Sequence, residues 1–177
     1  TICLVLPLAA FLQSRVEEPT LHQVTTSLEI DASPEVVWEH VIRVAELPEP
    51  KGFLFDTGIA YPLRAEIDGE GVGAIRRCTF STGDFVEPIT VWDPPHRLAF
   101  DVVAQPVPME EWSFYSKVHP PHLEESLRSQ RGEFRLHASP AGGTRLEGTT
   151  WYTLDIGPVA YWQLWTDAIL HRIHGRV

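Results

Sequence analysis

Apolar and polar residues alternate from Val24 to Ile30, with Val24, Leu28 and Ile30 set against Thr25, Ser27 and Glu29, the two-residue period of a half-buried strand. Asp-Ala-Ser-Pro-Glu follows at 31–35. It places Ser33 as N-cap and Pro34 at the first helical position, so a helix carrying Val36, Val37, Trp38 and Val41 begins there. After a connection holding Pro48, Pro50 and Gly52, strand patterns recur at Leu63 to Asp68, Val72 to Phe80, Asp84 to Trp92, Arg97 to Ala104, Gly132 to Ala138 and Thr144 to Leu154. Gly69 to Gly71, Thr82-Gly83, Asp93-Pro94-Pro95 and Ala141-Gly142-Gly143 separate them. All are hairpin-type punctuation rather than helical crossovers, so the sheet is predicted to be antiparallel.

Pro158 opens a last helix that runs to about Arg176. Tyr161, Trp162, Leu164, Trp165, Ala168, Ile169 and Ile173 spread over one broad face of it at 100° per residue, and that face is expected to be buried. Thr166, Asp167, Leu170 and His174 fall on or near the other side. Arg172 projects within about 20° of Trp165, inside the apolar arc.

Between the fifth and sixth strands lies Gln105 to Arg131, a stretch broken by Pro106, Pro108, Pro120 and Pro121 that carries Trp112, Phe114 and Tyr115. Its length is unusual for a passive connection, so it reads as a lid over a pocket mouth, against the plainer alternative of a surface excursion packed by its own aromatics. Upstream, Ile2 to Leu12 is an apolar run interrupted by Pro7, too short for a span of about 20 residues. It reads either as the end of a transmembrane or signal segment continuing before Thr1 or as a buried N-terminal segment, and Gln13 to Thr20 as its linker. The folded domain is then 21–177.

Composition narrows the function. A chain of 177 residues, 44% hydrophobic, suits one core without metal or disulfide staples, and six Trp with eight Phe supply flat side chains for a pocket. The formal charge is −10 and the fourteen Lys and Arg are scattered, which argues against nucleic acid. Cys3 and Cys78 form neither a disulfide framework nor a zinc knuckle.

The order strand, helix, six hairpin-linked strands and long C-terminal helix resembles the superfamily of START domains, birch-pollen-allergen-like proteins and aromatase/cyclases. The wording agrees at Thr26-Ser-Leu-Glu-Ile-Asp-Ala-Ser-Pro-Glu-Val-Val-Trp38 and at Glu87-Pro-Ile-Thr-Val-Trp-Asp-Pro-Pro-His-Arg-Leu-Ala-Phe100. The resemblance covers about His22 to Val177 and is nearest to the bacterial polyketide cyclase/dehydrase and lipid-transport branch. It implies an α+β helix-grip fold, a curved antiparallel seven-stranded sheet around the C-terminal helix with two short helices after the first strand, and a hydrophobic cavity between them. It does not imply a chemistry, because carriers, sensors and enzymes share the fold.

Strand phase picks out the polar candidates. Arg76 lies in phase with Val72, Ala74, Cys78 and Phe80, and Glu87 with Phe85, Ile89 and Val91, so both point with the apolar set. A turn at Thr82-Gly83 brings them within one or two ladder positions. The pair reads either as a polar anchor for an apolar ligand or as a structural ion pair, with a bulge turning one residue outward as a further alternative. Arg172 either contacts a ligand carboxyl at the cavity mouth or snorkels to water. Phe85, Trp112, Phe114, Tyr115, Tyr161 and Trp165 are contact candidates, with plain core packing as their alternative.

His119 and His122, and His171 and His174, invite a metal, but no carboxylate motif completes a site, so neither metal nor cofactor is expected. A His working with Glu87 or Asp101 as acid and base is the enzymatic alternative. The expectation is therefore a carrier of a lipid-like or polycyclic aromatic molecule. The alternatives are a polyketide aromatase/cyclase or dehydrase, and a protein-interaction domain with a vestigial cavity. A monomer or weak dimer, cytoplasmic or membrane-associated, completes the picture.

Overall fold

Exposure alternates along the strands as the sequence pattern requires, and the computed structural model, which describes residues 20–110, 126–140 and 142–176, joins them into one antiparallel sheet. The elements are β1 (Leu21–Ile30), α1 (Pro34–Ile42), α2 (Phe53–Asp56), β2 (Pro62–Asp68), β3 (Ile75–Phe80), β4 (Gly83–Asp93), β5 (Arg97–Asp101), β6 (Leu127–Ala138), β7 (Thr144–Leu154) and α3 (Val159–His174). Spatial order is β1-β7-β6-β5-β4-β3-β2, so the first two strands of the chain form the two edges. Register shifts between Pro62 and Arg64, Ile89 and Val91, and Ser129 and Arg131 add local twist and bend the sheet toward its helices. This is the predicted α+β helix-grip arrangement.

Four strand bounds differ from expectation by three residues or more, the first being β1, which starts at Leu21 rather than Val24. β3 starts at Ile75, because Val72 and Gly73 belong to the preceding turn, and Val72 is exposed. β5 ends at Asp101. β6 starts at Leu127, so residues predicted as the end of the insertion pair instead with β7, from Leu127 opposite Leu154 onward. The Gln105 side chain ties the two flanks of the insertion together, donating to the Leu127 carbonyl (2.6 Å) and accepting from the Ser129 amide (2.8 Å). Residues 1–19 and 111–125, with the candidates Trp112, Phe114, Tyr115, His119 and His122, lie outside the described residues.

Three apolar clusters cover the inner face of the sheet. Val37, Trp38 and Val41 of α1 pack on Ile89, Leu98, Phe100, Leu136 and Leu146. Val24, Tyr152 and Leu154 meet Leu170 of α3, and Val44, Ala65 and Cys78 gather at the β2 edge. Burying an aliphatic side chain of this kind is favourable by about 1.5–3 kcal/mol, so the inner face is the main source of stability. Val36, expected on the apolar side of α1, is instead exposed.

Gly132 is required by this packing. A Cβ there would sit 2.5 Å from the Phe100 ring, far inside contact distance. Gly132→Ala is therefore expected to push Phe100 out of place and cost about 1–3 kcal/mol, read as a lower urea midpoint with an unchanged slope.

Candidate functional site

β3 and β4 face one another through the tight turn at Ser81-Thr82, and that turn fixes the register in which Arg76 stands directly opposite Glu87. Alternation then points both side chains to the inner face, and they form a close ion pair with side chains 3% and 7% exposed. The phase argument thus places the pair correctly, and the partners are nearer in register than the one or two positions expected. The Arg76 guanidinium also lies over Phe100, 4.9 Å from the ring centroid, and over Phe134 at 5.8 Å. Cationic heads over ring faces are stabilised by the ring quadrupole.

Burial would lower the Arg76 pKa, but the Glu87 carboxylate more than offsets it and holds the guanidinium charged. Burial raises the Glu87 carboxyl above its ordinary range, with Arg76 offsetting only part of that shift. Among the described residues the buried Arg76 Nε finds no hydrogen-bond partner, so one donor of the fork is unused there. Cys78, next inward on β3, has its thiol pushed up to about 11, chiefly by burial, and is no nucleophile at neutral pH. Phe85 packs on Phe80, with ring centroids 4.8 Å apart, and forms the near wall of the same region.

The face that α3 turns to the sheet is not the predicted one. Leu170 is buried, while Leu164, Trp165, Tyr161 and Trp162 are exposed at 73, 54, 40 and 38%. Arg172 is exposed with them. Tyr161, Trp165 and Arg172 therefore lie on the outward side of the helix, away from Arg76 and Glu87. The physical reason is what the sheet offers beneath α3: Thr26, Thr150 and Tyr152 point inward there, and polar helix groups find partners on them.

His174 Nδ1 bonds Thr26 Oγ1 (2.9 Å), its Nε2 bonds Thr150 Oγ1 (2.8 Å), and His171 Nδ1 shares Thr26 Oγ1 at 2.7 Å. The Tyr152 hydroxyl donates to Asp167 in a short bond. Gly148 lies beside both the Phe134 ring and the His174 imidazole. Burial, and secondarily His171, depress the His174 pKa from 6.5 to about 4.

The sequence offers His171 and His174 only as a metal pair that no carboxylate motif completes. The missed signal was the inward phase of Thr26 and Thr150, two polar residues that need partners. These histidines clamp α3 to β1 and β7. Beyond His174, Arg176 reaches back across the sheet, donating to the Pro48 carbonyl (2.6 Å) and lying 5.8 Å from the Phe55 ring centroid.

Among the described residues, Glu87 bonds Arg76 and no histidine, so the acid–base pairing of Glu87 with a His does not form there. No cluster of three or more metal-ligating groups occurs among the described residues. Two clefts open at the surface instead. One of about 500 Å³ lies on the outer face between Glu29, His137, Arg145 and Glu147; the other, about 470 Å³, lies between Val102 to Val107 and Arg128 to Gln130, beside the flanks of the insertion. Neither touches Arg76 or Glu87.

A family model described as polyketide cyclase / dehydrase and lipid transport matches residues 22–160. No curated protein matches the chain. Among solved structures, a protein of unknown function from Staphylococcus aureus is similar at 15% identity, with a TM-score of 0.53 over 90% of each chain. The Zhui aromatase/cyclase from Streptomyces is similar at 17% identity (TM-score 0.48, 78% of this chain and 72% of that one). Norcoclaurine synthase from Thalictrum flavum is similar at 13% (TM-score 0.47, 79% and 80%). At such identities the likeness is one of fold.

Proposed function

Because the chain belongs to the polyketide cyclase/dehydrase and lipid-transport family, we propose that it binds an apolar small molecule between the inner face of the sheet and α3, anchored at one polar end by Arg76. The observation that carries this reading is the buried Arg76 Nε, a donor with no hydrogen-bond partner among the described residues, beside the Phe100 and Phe134 rings. An unused buried donor is costly by about 1–3 kcal/mol, and an acceptor on a ligand removes that penalty. Glu87 keeps the guanidinium charged, and Phe85, Phe100 and Phe134 give the surrounding surface the flat apolar character that suits a lipid-like or polycyclic ring system.

Native mass spectrometry of protein purified from cells tests this. The expected result is a stoichiometric apolar molecule bearing one acceptor group. The paired variant Arg76→Met with Glu87→Leu, which replaces the ion pair by apolar residues of similar size, is expected to fold and to bind that molecule about 10- to 100-fold more weakly, the loss of one charge-assisted bond. An empty wild type, or equal retention by the paired variant, refutes the anchor.

A second reading, an aromatase/cyclase or dehydrase, draws on the raised Glu87 carboxyl, since a carboxyl held above its ordinary range suits proton transfer. Loss of turnover with retained binding in Glu87→Gln would favour it.

A further inference from the structure

The outward side of α3 is the largest feature that the ligand reading leaves unused. Tyr161, Trp165, Ala168 and Arg172 follow one another at four-, three- and four-residue steps, a single stripe along the helix, with Trp162 and Leu164 on its two flanks. Large apolar residues exposed together mark an interaction surface rather than scattered surface hydrophobics. We propose that this face docks on a phospholipid bilayer, with the aromatic rings in the interfacial zone and Arg172 on lipid phosphate.

Three observations select a bilayer. First, charge: in a chain of formal charge −10, the one carboxylate of α3, Asp167, is turned to the sheet and held by Tyr152, so the exposed stripe carries a cation and no acid. That stripe complements an anionic headgroup layer, while the acidic remainder of the molecule is repelled from it, and the two effects together orient the protein. Second, residue type: Trp and Tyr present an apolar body with a polar tip, the side chains that settle at the boundary between headgroups and acyl chains. A second copy meeting this stripe about a two-fold axis would bring two Arg172 side chains to the same acid-free surface.

Third, continuity: Leu21 at the start of β1 pairs with Thr153, and Leu154, Ile156 and Val159 join one cluster, so the chain enters the fold beside the first turn of α3. The apolar run Ile2 to Leu12 is separated from that point by residues 13–20, a length of chain that can span at most about 29 Å, against about 17 Å of rise from Tyr161 to Arg172. The run and the stripe can therefore meet the same membrane surface. This inference stands apart from the ligand reading, since a carrier and an enzyme for apolar substrates would use such a face alike.

Vesicle flotation of the full 177-residue chain tests it, with phosphatidylcholine vesicles and with phosphatidylcholine mixed with phosphatidylserine. Binding is expected to both, about fivefold tighter to the mixed vesicles. Leu164→Ser combined with Trp165→Ser should weaken binding about tenfold or more, and Arg172→Glu should abolish the preference for phosphatidylserine. All these positions are exposed, and unchanged circular dichroism confirms that the variants fold. Binding that neither variant alters assigns membrane contact to the N-terminal run alone and overturns the proposal. So does an absence of binding, or a self-association in sedimentation that the same variants abolish.

Discussion

Arg76→Met is expected to destabilise the protein by about 3–5 kcal/mol, because it leaves the Glu87 carboxyl buried without its partner among the described residues. The pH dependence gives a second signature. With the guanidinium gone, burial governs Glu87 and raises its folded-state pKa further, so the folded variant holds a proton that the unfolded chain releases in the ordinary carboxylate range. A carboxyl raised in the fold contributes stability that is complete at low pH and is lost as pH rises. The deficit of Arg76→Met relative to wild type should accordingly widen from acid toward neutral pH. Adding Glu87→Leu should recover most of the loss, since two apolar residues of similar volume have no charge to strand. Urea titrations of the three proteins at several pH values decide it, and a single-variant loss below about 1 kcal/mol would show that the pair is solvated rather than sealed.

Acidification should release α3. His174 is depressed in the fold from 6.5 to about 4, so below the higher value the unfolded chain takes up a proton that the folded chain refuses. Stability on this account falls as pH drops across that interval, by up to about 3 kcal/mol when the shift is converted at 1.36 kcal/mol per pH unit. Three carboxyls act alongside, among them the exposed Glu35, which the Ser33 hydroxyl holds below its ordinary range. Glu133, held below its ordinary range by Arg135 and Arg97 despite burial, loses its contribution only as pH falls further, through the carboxylate range. Glu87 has the opposite sign, as above. The difference between wild type and His174→Gln isolates the imidazole: the glutamine variant keeps hydrogen-bonding capacity toward Thr26 and Thr150 but does not titrate. Equal slopes of stability against pH in the two proteins would refute the assignment.

The sheet and its inward ion pair are legible in the sequence because strand sidedness has a period of two and tolerates no ambiguity once the turn is placed. Arg76 and Glu87 could be found by counting alone, and the structure returns them as direct neighbours. The start of β6 was hidden for a different reason. Arg128 and Ser129 look like loop residues, yet their backbone pairs with β7 whatever their side chains are. The orientation of α3 was hidden because an apolar arc was taken as sufficient to decide burial. The deciding groups lie on other elements: Thr26 on β1, and Thr150 and Tyr152 on β7, are inward and polar, and the helix turns His174 and Asp167 to meet them. A buried face is chosen by both partners, and helix periodicity describes only one. Tyr161, Trp165 and Arg172, expected at the pocket, lie on the exposed side of α3 for the same reason.

The strand order bears on biogenesis. β1 leaves the ribosome first, but its only partner in the sheet is β7, with Ile30 opposite Thr144 and Leu21 opposite Thr153. A nascent chain therefore carries an unpaired strand edge through most of its synthesis, and the sheet acquires its full width only when the last strand arrives. Such long-range closure slows folding and exposes the chain to mispairing, and a circular permutant that joins β1 behind α3, and so brings it close to β7 in sequence, should fold faster than the natural order.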